Sequence, residues 1–159
     1  LLAVSGALDR SPAGPHPFPP VNTWNFTQHN PFQAVYETNR RSVYLMTQRL
    51  RRHPFLALFD GADPNASTAQ RNTTTVPTQA LYFLNDPFVH DQADKFAARL
   101  LRGAADDAGR IDLAHRLAYG RPATLEETRA GELYLRRTGG AWASYCRVLF
   151  AANEFIYVD

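Results

Sequence analysis

Proline sets the limits on this fold. Six of the eleven prolines, Pro12, Pro15, Pro17, Pro19, Pro20 and Pro31, fall before residue 32. Each ring removes a backbone donor and clashes with the turn before it, so no helix can run through that stretch. The expectation for residues 1–30 is the end of an upstream helix (Leu1 to Ala7), whose start is missing, followed by an extended, partly disordered arm anchored by Trp24 and Phe26. The other prolines stand alone. Pro54, Pro77 and Pro87 sit where a helix starts, Pro64 in a turn, and Pro122 at a helix boundary.

Residues 31–159 read as a helical domain. Asp86-Pro87 is a cap followed by a first-turn proline, and Val89, Ala93, Phe96, Ala97, Leu100 and Leu101 form one apolar stripe. Ile111, Ala114, Leu117 and Ala118 make the next, closed by Gly120. Thr124 and Glu127 have the spacing of a capping box, and Gly139-Gly140 ends the helix that they open. Trp142, Tyr145, Cys146, Leu149, Phe150 and Asn153 recur at three and four. Pro31 to Asn39 is expected to be a short helix, Ser42 to Thr47 a short extended strand, nearly indistinguishable from helix over so few residues, and Pro54 to Phe59 a helical turn or short helix. The fold class is mainly α: a small bundle of antiparallel or crossed helices, with a Pro-rich arm and a polar loop before a central helix.

That loop is the most specific stretch. Asp60 to Asn85 reads DGADPNASTAQRNTTTVPTQALYFLN. Asp63-Pro64-Asn65 is a turn, Ser67 and Thr68 continue it, and Arg71 with Thr73, Thr74 and Thr75 leads to Val76-Pro77. The helix beyond is expected to turn Leu81 and Leu84 inward. Val76 has no side-chain acceptor, so the first amides of that helix need another partner. Asp63, Asn65 or a threonine hydroxyl folding back is the commoner solution; an external anion held with Arg71 is the other. Arg71, with its five donors, is expected to be buried and bonded to Asp60, Asp63 or loop carbonyls.

The same residues carry a resemblance. DGADPNAS followed by RNTTTVPTQALYFLND is similar to the C-terminal domain of unknown function of planctomycete PSD-type proteins. RRSVYLMTQRLRRHPFLALFDGADPN, RPAT with Glu127, NEFIYVD and LLAVSGALDR extend it over nearly the whole chain. It implies a C-terminal piece of a multidomain protein associated with cytochrome c domains, placed in the periplasm, envelope or outside the cell. The partners it implies are upstream domains of the same polypeptide. It carries no activity over to any residue.

Other chemistry is sparse. The net charge of +2 is too small to argue for nucleic acid, and no apolar run reaches the roughly 20 residues of a membrane span. Arg40, Arg41, Arg49, Arg51, Arg52 and His53 cluster, which reads as a solvated face. Cys146 is the single cysteine and reads as a buried small hydrophobe; no haem-attachment motif is present and no cofactor is expected. His90 and Asp94 stand one turn apart, a two-ligand pattern too thin for a metal site. No catalytic constellation is recognised, and Asp60 with Asp63 reads as turn chemistry. Asn153-Glu154 is expected to tie the tail to the central motif. The leading expectation is a non-catalytic structural or interaction module. The alternative is a binding or hydrolytic module for anionic, sulfated polysaccharide, using the loop of Asp60, Asp63, Asn65, Ser67, Arg71, Thr73, Thr74 and Thr75.

Overall fold

A computed structural model describes residues 1–16, 19–32, 36–49, 52–70 and 74–157. Among them the α-helices are α1 (Leu2–Ser5), α2 (Pro54–Leu58), α3 (Pro77–Asn85), α4 (Pro87–Gly103), α5 (Asp107–Tyr119), α6 (Leu125–Arg137), α7 (Trp142–Phe150) and α8 (Asn153–Ile156). No strand occurs among the described residues; one isolated bridge joins Asp9 and Arg40. The chain divides into two compact units, Leu1–Leu8 with Ala80–Asp159, and Asp9–Gln79.

The first unit is built on α4. Asp86 caps it, its carboxylate accepting the Phe88 N–H at 2.9 Å, with Pro87 in the first turn. Val89, Ala93, Phe96, Ala97 and Leu100 are buried, and α7 packs on them with Trp142, Tyr145, Cys146, Leu149 and Phe150. Phe96 and Phe150 stack, ring centroids 5.5 Å apart. Each fully buried phenyl stabilises the unit by about 2–3 kcal/mol relative to exposure.

Helix α1 docks on α4 through polar contacts. The buried Ser5 hydroxyl donates to Gln92 Oε1 at 2.7 Å, and Arg99 Nη1 donates to the Ala3 and Val4 carbonyls. A guanidinium there satisfies carbonyls that a helix end leaves open.

The sequence signals for α5 to α7 hold. Gly120 ends α5 at φ 73, Thr124 and Glu127 complete a reciprocal capping box, and Gly139 and Gly140 follow α6 at φ 63 and 82. Gly131, inside α6, lies against Ile111 and Tyr145 where a side chain has no room.

Helix α3 corrects the sequence reading. Leu81 and Leu84 are 53% and 56% exposed, and Phe83 is the buried residue, edge-on to Phe155 at 6.2 Å. With about 100° between successive residues, an inward Phe83 turns both leucines away.

The second unit contains α2 and two 3₁₀ turns, Val21–Thr23 and Ser42–Tyr44. The strand expected over Ser42 to Thr47 is not formed. Tyr44 N–H turns back to the Arg41 carbonyl and Leu45 N–H to the Ser42 carbonyl, so these donors are spent locally. The described residues of Pro31 to Asn39 are not helical; residues 33–35 lie outside the described set. In the arm, Trp24, Phe26 and Phe32 form a chain of ring contacts, and the Trp24 indole donates to the Pro19 carbonyl at 2.7 Å.

Candidate functional site

The polar loop of the second unit is held by its own residues. Asp60 adopts φ 56, a left-handed conformation that aspartate tolerates better than most residues. Its carboxylate accepts the Thr74 N–H at 2.8 Å and the Thr74 hydroxyl at 2.9 Å. Asp63 Oδ1 accepts the Asn65 N–H at 2.9 Å, closing the expected turn, and Asn65 Nδ2 donates to the Arg49 carbonyl at 2.8 Å. Arg52 donates to the Gly61 carbonyl. Gly61 fits where no other residue would, because a Cβ there would stand 2.6 Å from the Leu56 carbonyl.

Of the other loop residues, Ser67 and Thr75 are exposed. Arg71 and Thr73 lie outside the described residues, and so does the expectation placed on Arg71.

One donor at the start of α3 finds a partner inside the helix. The Val76 N–H points to Gln79 Oε1 at 3.3 Å, and Gln79 Nε2 donates to the Leu58 carbonyl at 3.0 Å. This is half of a capping box, with glutamine at the third helical position reaching back to an N-cap that lacks an acceptor. Gln79 is 6% exposed, so both halves of its amide are satisfied where leaving them open would be costly.

A cavity of about 250 Å³ lies beside the loop, lined by Arg52, Asp60, Asp63, Thr68 and the small residues Ala57, Gly61 and Ala62. Among the described residues the lining holds two carboxylates and one guanidinium, and no aromatic ring.

A dense polar cluster that was not anticipated belongs to the first unit. Arg121 uses all five donors: Nε to Glu154 Oε1, Nη1 to Glu127 Oε2 and the Pro122 carbonyl, Nη2 to Glu127 Oε1 and Glu154 Oε2. Glu154 binds Arg121; residues 71–73 of the central motif, to which the sequence reading tied Asn153-Glu154, lie outside the described residues. Arg121 also stands over the Tyr119 ring, 5.7 Å from its centroid.

His115 lies beneath this cluster, 3% exposed, with Nε2 3.5 Å from the Tyr145 hydroxyl and Nδ1 3.6 Å from Glu127 Oε2. That carboxylate oxygen already accepts from Arg121 and from the Thr124 N–H at 2.7 Å, which leaves Nδ1 without a hydrogen bond.

The charges follow the contacts. Hydrogen bonding from Arg121 holds the Glu127 carboxyl well below the usual range, and Arg121 lowers Glu154 in the same way. Burial lowers His115, and burial pushes the Tyr119 hydroxyl up to about 12. Cys146 is fully buried and its thiol is pushed up to about 12 by burial, as expected of a small hydrophobe.

His90 directs Nε2 at the Leu84 carbonyl, 2.9 Å away. No group of three potential metal-ligating side chains gathers among the described residues. The signals for Arg121 and Glu154 were individually visible, but 33 residues separate them and only the fold joins them.

The fold and these contacts define a mainly α-helical domain whose polar motifs bond to the protein itself. The chain belongs to the PSD1 family, described as a protein of unknown function (DUF1553), which matches residues 1–135. No curated protein and no solved structure matches it.

Proposed function

We propose that the chain is a non-catalytic structural and interaction module that packs against other domains of the same polypeptide. One observation carries this reading: the polar groups of the loop that do have partners spend them internally. Asp60 serves Thr74, Asp63 serves Asn65, Asn65 serves Arg49, and Arg52 serves Gly61. A loop used to hold a ligand keeps such groups convergent and open; here they set backbone geometry. The cytochrome-associated, extracytoplasmic setting is part of the proposal and rests on the family resemblance.

The sulfated-polysaccharide alternative draws no support from the cavity beside the loop. Asp60 and Asp63 would repel an anion, and no ring lines the cavity among the described residues. No helix among the described residues is long and apolar enough to cross a membrane.

Cross-linking mass spectrometry on the full-length parent polypeptide tests the module. Cross-links from the exposed faces of this chain to preceding domains are expected, together with slower amide exchange than in the isolated chain. Independent tumbling, with neither effect, would sink the proposal.

A further inference from the structure

His115 is buried, yet neither of its ring nitrogens makes a close hydrogen bond. Nε2 stands 3.5 Å from the Tyr145 hydroxyl, and Nδ1 has no partner. Glu127 Oε2 lies 3.6 Å from Nδ1, but that oxygen already accepts from Arg121 Nη1 and the Thr124 N–H. Two such bonds fill its two lone pairs. A neutral imidazole can meet this arrangement with Nδ1 bare. An imidazolium cannot, because both nitrogens are then donors. A protonated ring would have to draw Glu127 Oε2 away from Arg121 or Thr124, in a site where an unpaired charge is costly.

The charged and titratable groups around the ring come from every side. Asp112 and Tyr119 are on α5 itself, Arg121 follows it, Glu127 is on α6, Tyr145 on α7 and Glu154 on α8. Asp112 is engaged by Arg116 and by the Ala123 N–H. Arg121 is therefore the group with which a charged His115 must share Glu127.

Arg121 is also the polar grip on α8. Its Nε and Nη2 hold the two oxygens of Glu154 at 2.6 and 2.7 Å. Beyond that, Phe155 rests on Phe150 with ring centroids 4.9 Å apart, and the amides of Phe155, Ile156 and Tyr157 bond only within the turn. We propose that His115 is an acid-operated latch: on taking up a proton it competes with Arg121 for Glu127, loosens the hold on Glu154 and undocks α8 from Phe150. Burial opposes charge on the docked ring, so the undocked state binds the proton more readily. Its share should rise by up to about tenfold per pH unit below pH 6.5, until the docked ring titrates as well. This latch is independent of the reading of the chain as an interaction module.

Aromatic NMR of the whole 159-residue chain, titrated from about pH 8 to about pH 5 across the ordinary histidine range, is the test. The contact of Phe155 with Phe150 is expected to fade with the same midpoint as the His115 ring signals, while the Phe96–Phe150 stack persists. In His115→Gln the Phe155 contact should survive the whole titration. Should that variant fail to fold, coincidence of the two midpoints in the parent chain decides. Glu154→Gln, at an exposed position, should loosen α8 already at neutral pH. A Phe155 contact that persists in the parent at about pH 5 overturns the proposal. So does one that fades at the same pH in His115→Gln, or one lost only together with the Phe96–Phe150 stack, which is global unfolding. An α8 held as tightly in Glu154→Gln as in the parent overturns it too.

Discussion

Arg121 and Glu127 meet fork to fork, with Nη1 2.9 Å from Oε2 and Nη2 2.7 Å from Oε1. Glu127 also closes the capping box of α6, and the other edge of the same guanidinium holds Glu154 on α8. One planar group therefore fixes the loop after α5, the start of α6 and the C-terminal turn.

Replacing Arg121 should release that turn. Arg121→Lys keeps the charge but loses the fork, so it is expected to behave nearly as badly as Arg121→Ala. The readout is a lower melting temperature together with faster amide exchange in α8. Unchanged protection in either variant would show that α8 is held by its apolar contacts alone.

Thr124→Ala removes the hydroxyl that accepts the Glu127 N–H at 3.2 Å. The expected cost is about 1 kcal/mol, the usual loss on removing an N-cap. Urea denaturation at neutral pH will measure it, and Thr124→Ser should recover most of the difference.

Gly131→Ala sets two effects against each other. Alanine gains about 1 kcal/mol of helix propensity over glycine. Its methyl, however, would stand 2.9 Å from Ile111 Cδ1 and 3.1 Å from the Tyr145 hydroxyl. Overpacking of this kind costs about 1–3 kcal/mol, so a net loss of about 1 kcal/mol is expected by denaturant titration. A stabilised variant would mean that Ile111 swings aside freely.

Stability should fall in two stages as the solution is acidified. Burial lowers the folded His115 pKa below its ordinary 6.5, so the unfolded chain binds the proton first. Its contribution is whole above pH 6.5 and is lost as pH falls through the folded value. Glu127 is depressed below its ordinary 4.5, chiefly by Arg121, so its contribution is whole above that pH and is lost at lower pH. His115→Gln should abolish the first stage and keep the second. A pH series of unfolding free energies with the same slope near pH 6 in both proteins would contradict this assignment.

Asp60→Ala should loosen the polar loop. It places alanine at φ 56 and takes both acceptors from Thr74. The left-handed conformation alone costs alanine about 1–2 kcal/mol. Asp60→Asn tolerates that conformation and keeps one oxygen, so it should fall between the two. Limited proteolysis within residues 60–75 is the measurement.

What could be read ahead of the structure was what neighbouring residues decide among themselves. Asp86, Thr124 with Glu127, Gly120 and Gly139-Gly140 mark helix ends because caps act within a single turn. Most of the stripes of α4 and α7 was legible for the same local reason, but Leu101, read with the α4 stripe, is 47% exposed, and Asn153 lies beyond α7 at the start of α8. The inward face of α3 was not: Leu81, Phe83 and Leu84 are all apolar, and only the position of Phe155 chooses Phe83. In the candidate site, Asp63 with Asn65 was visible as a turn, whereas Asp60 with Thr74 joins residues 14 apart and needed the folded loop. The contact of the Val76 N–H with Gln79 Oε1 was not sought, although its pattern, three residues after Val76, was present in the sequence.

The docking of α1 on α4 makes the first unit a split protein. Its two pieces, Leu1–Leu8 and Ala80–Asp159, are separated in the chain by the whole of the second unit. Ser5 on Gln92 and Arg99 on the Ala3 and Val4 carbonyls are what reunite them. A break in the backbone between Asp9 and Gln79 would turn an intramolecular contact of α1 into the association of two separate pieces. The chain between them thus acts as a tether that sets the local concentration of α1. Its length changes that concentration only slowly, so insertions between residues 9 and 79 leave α1 in place far more readily than a single cut does.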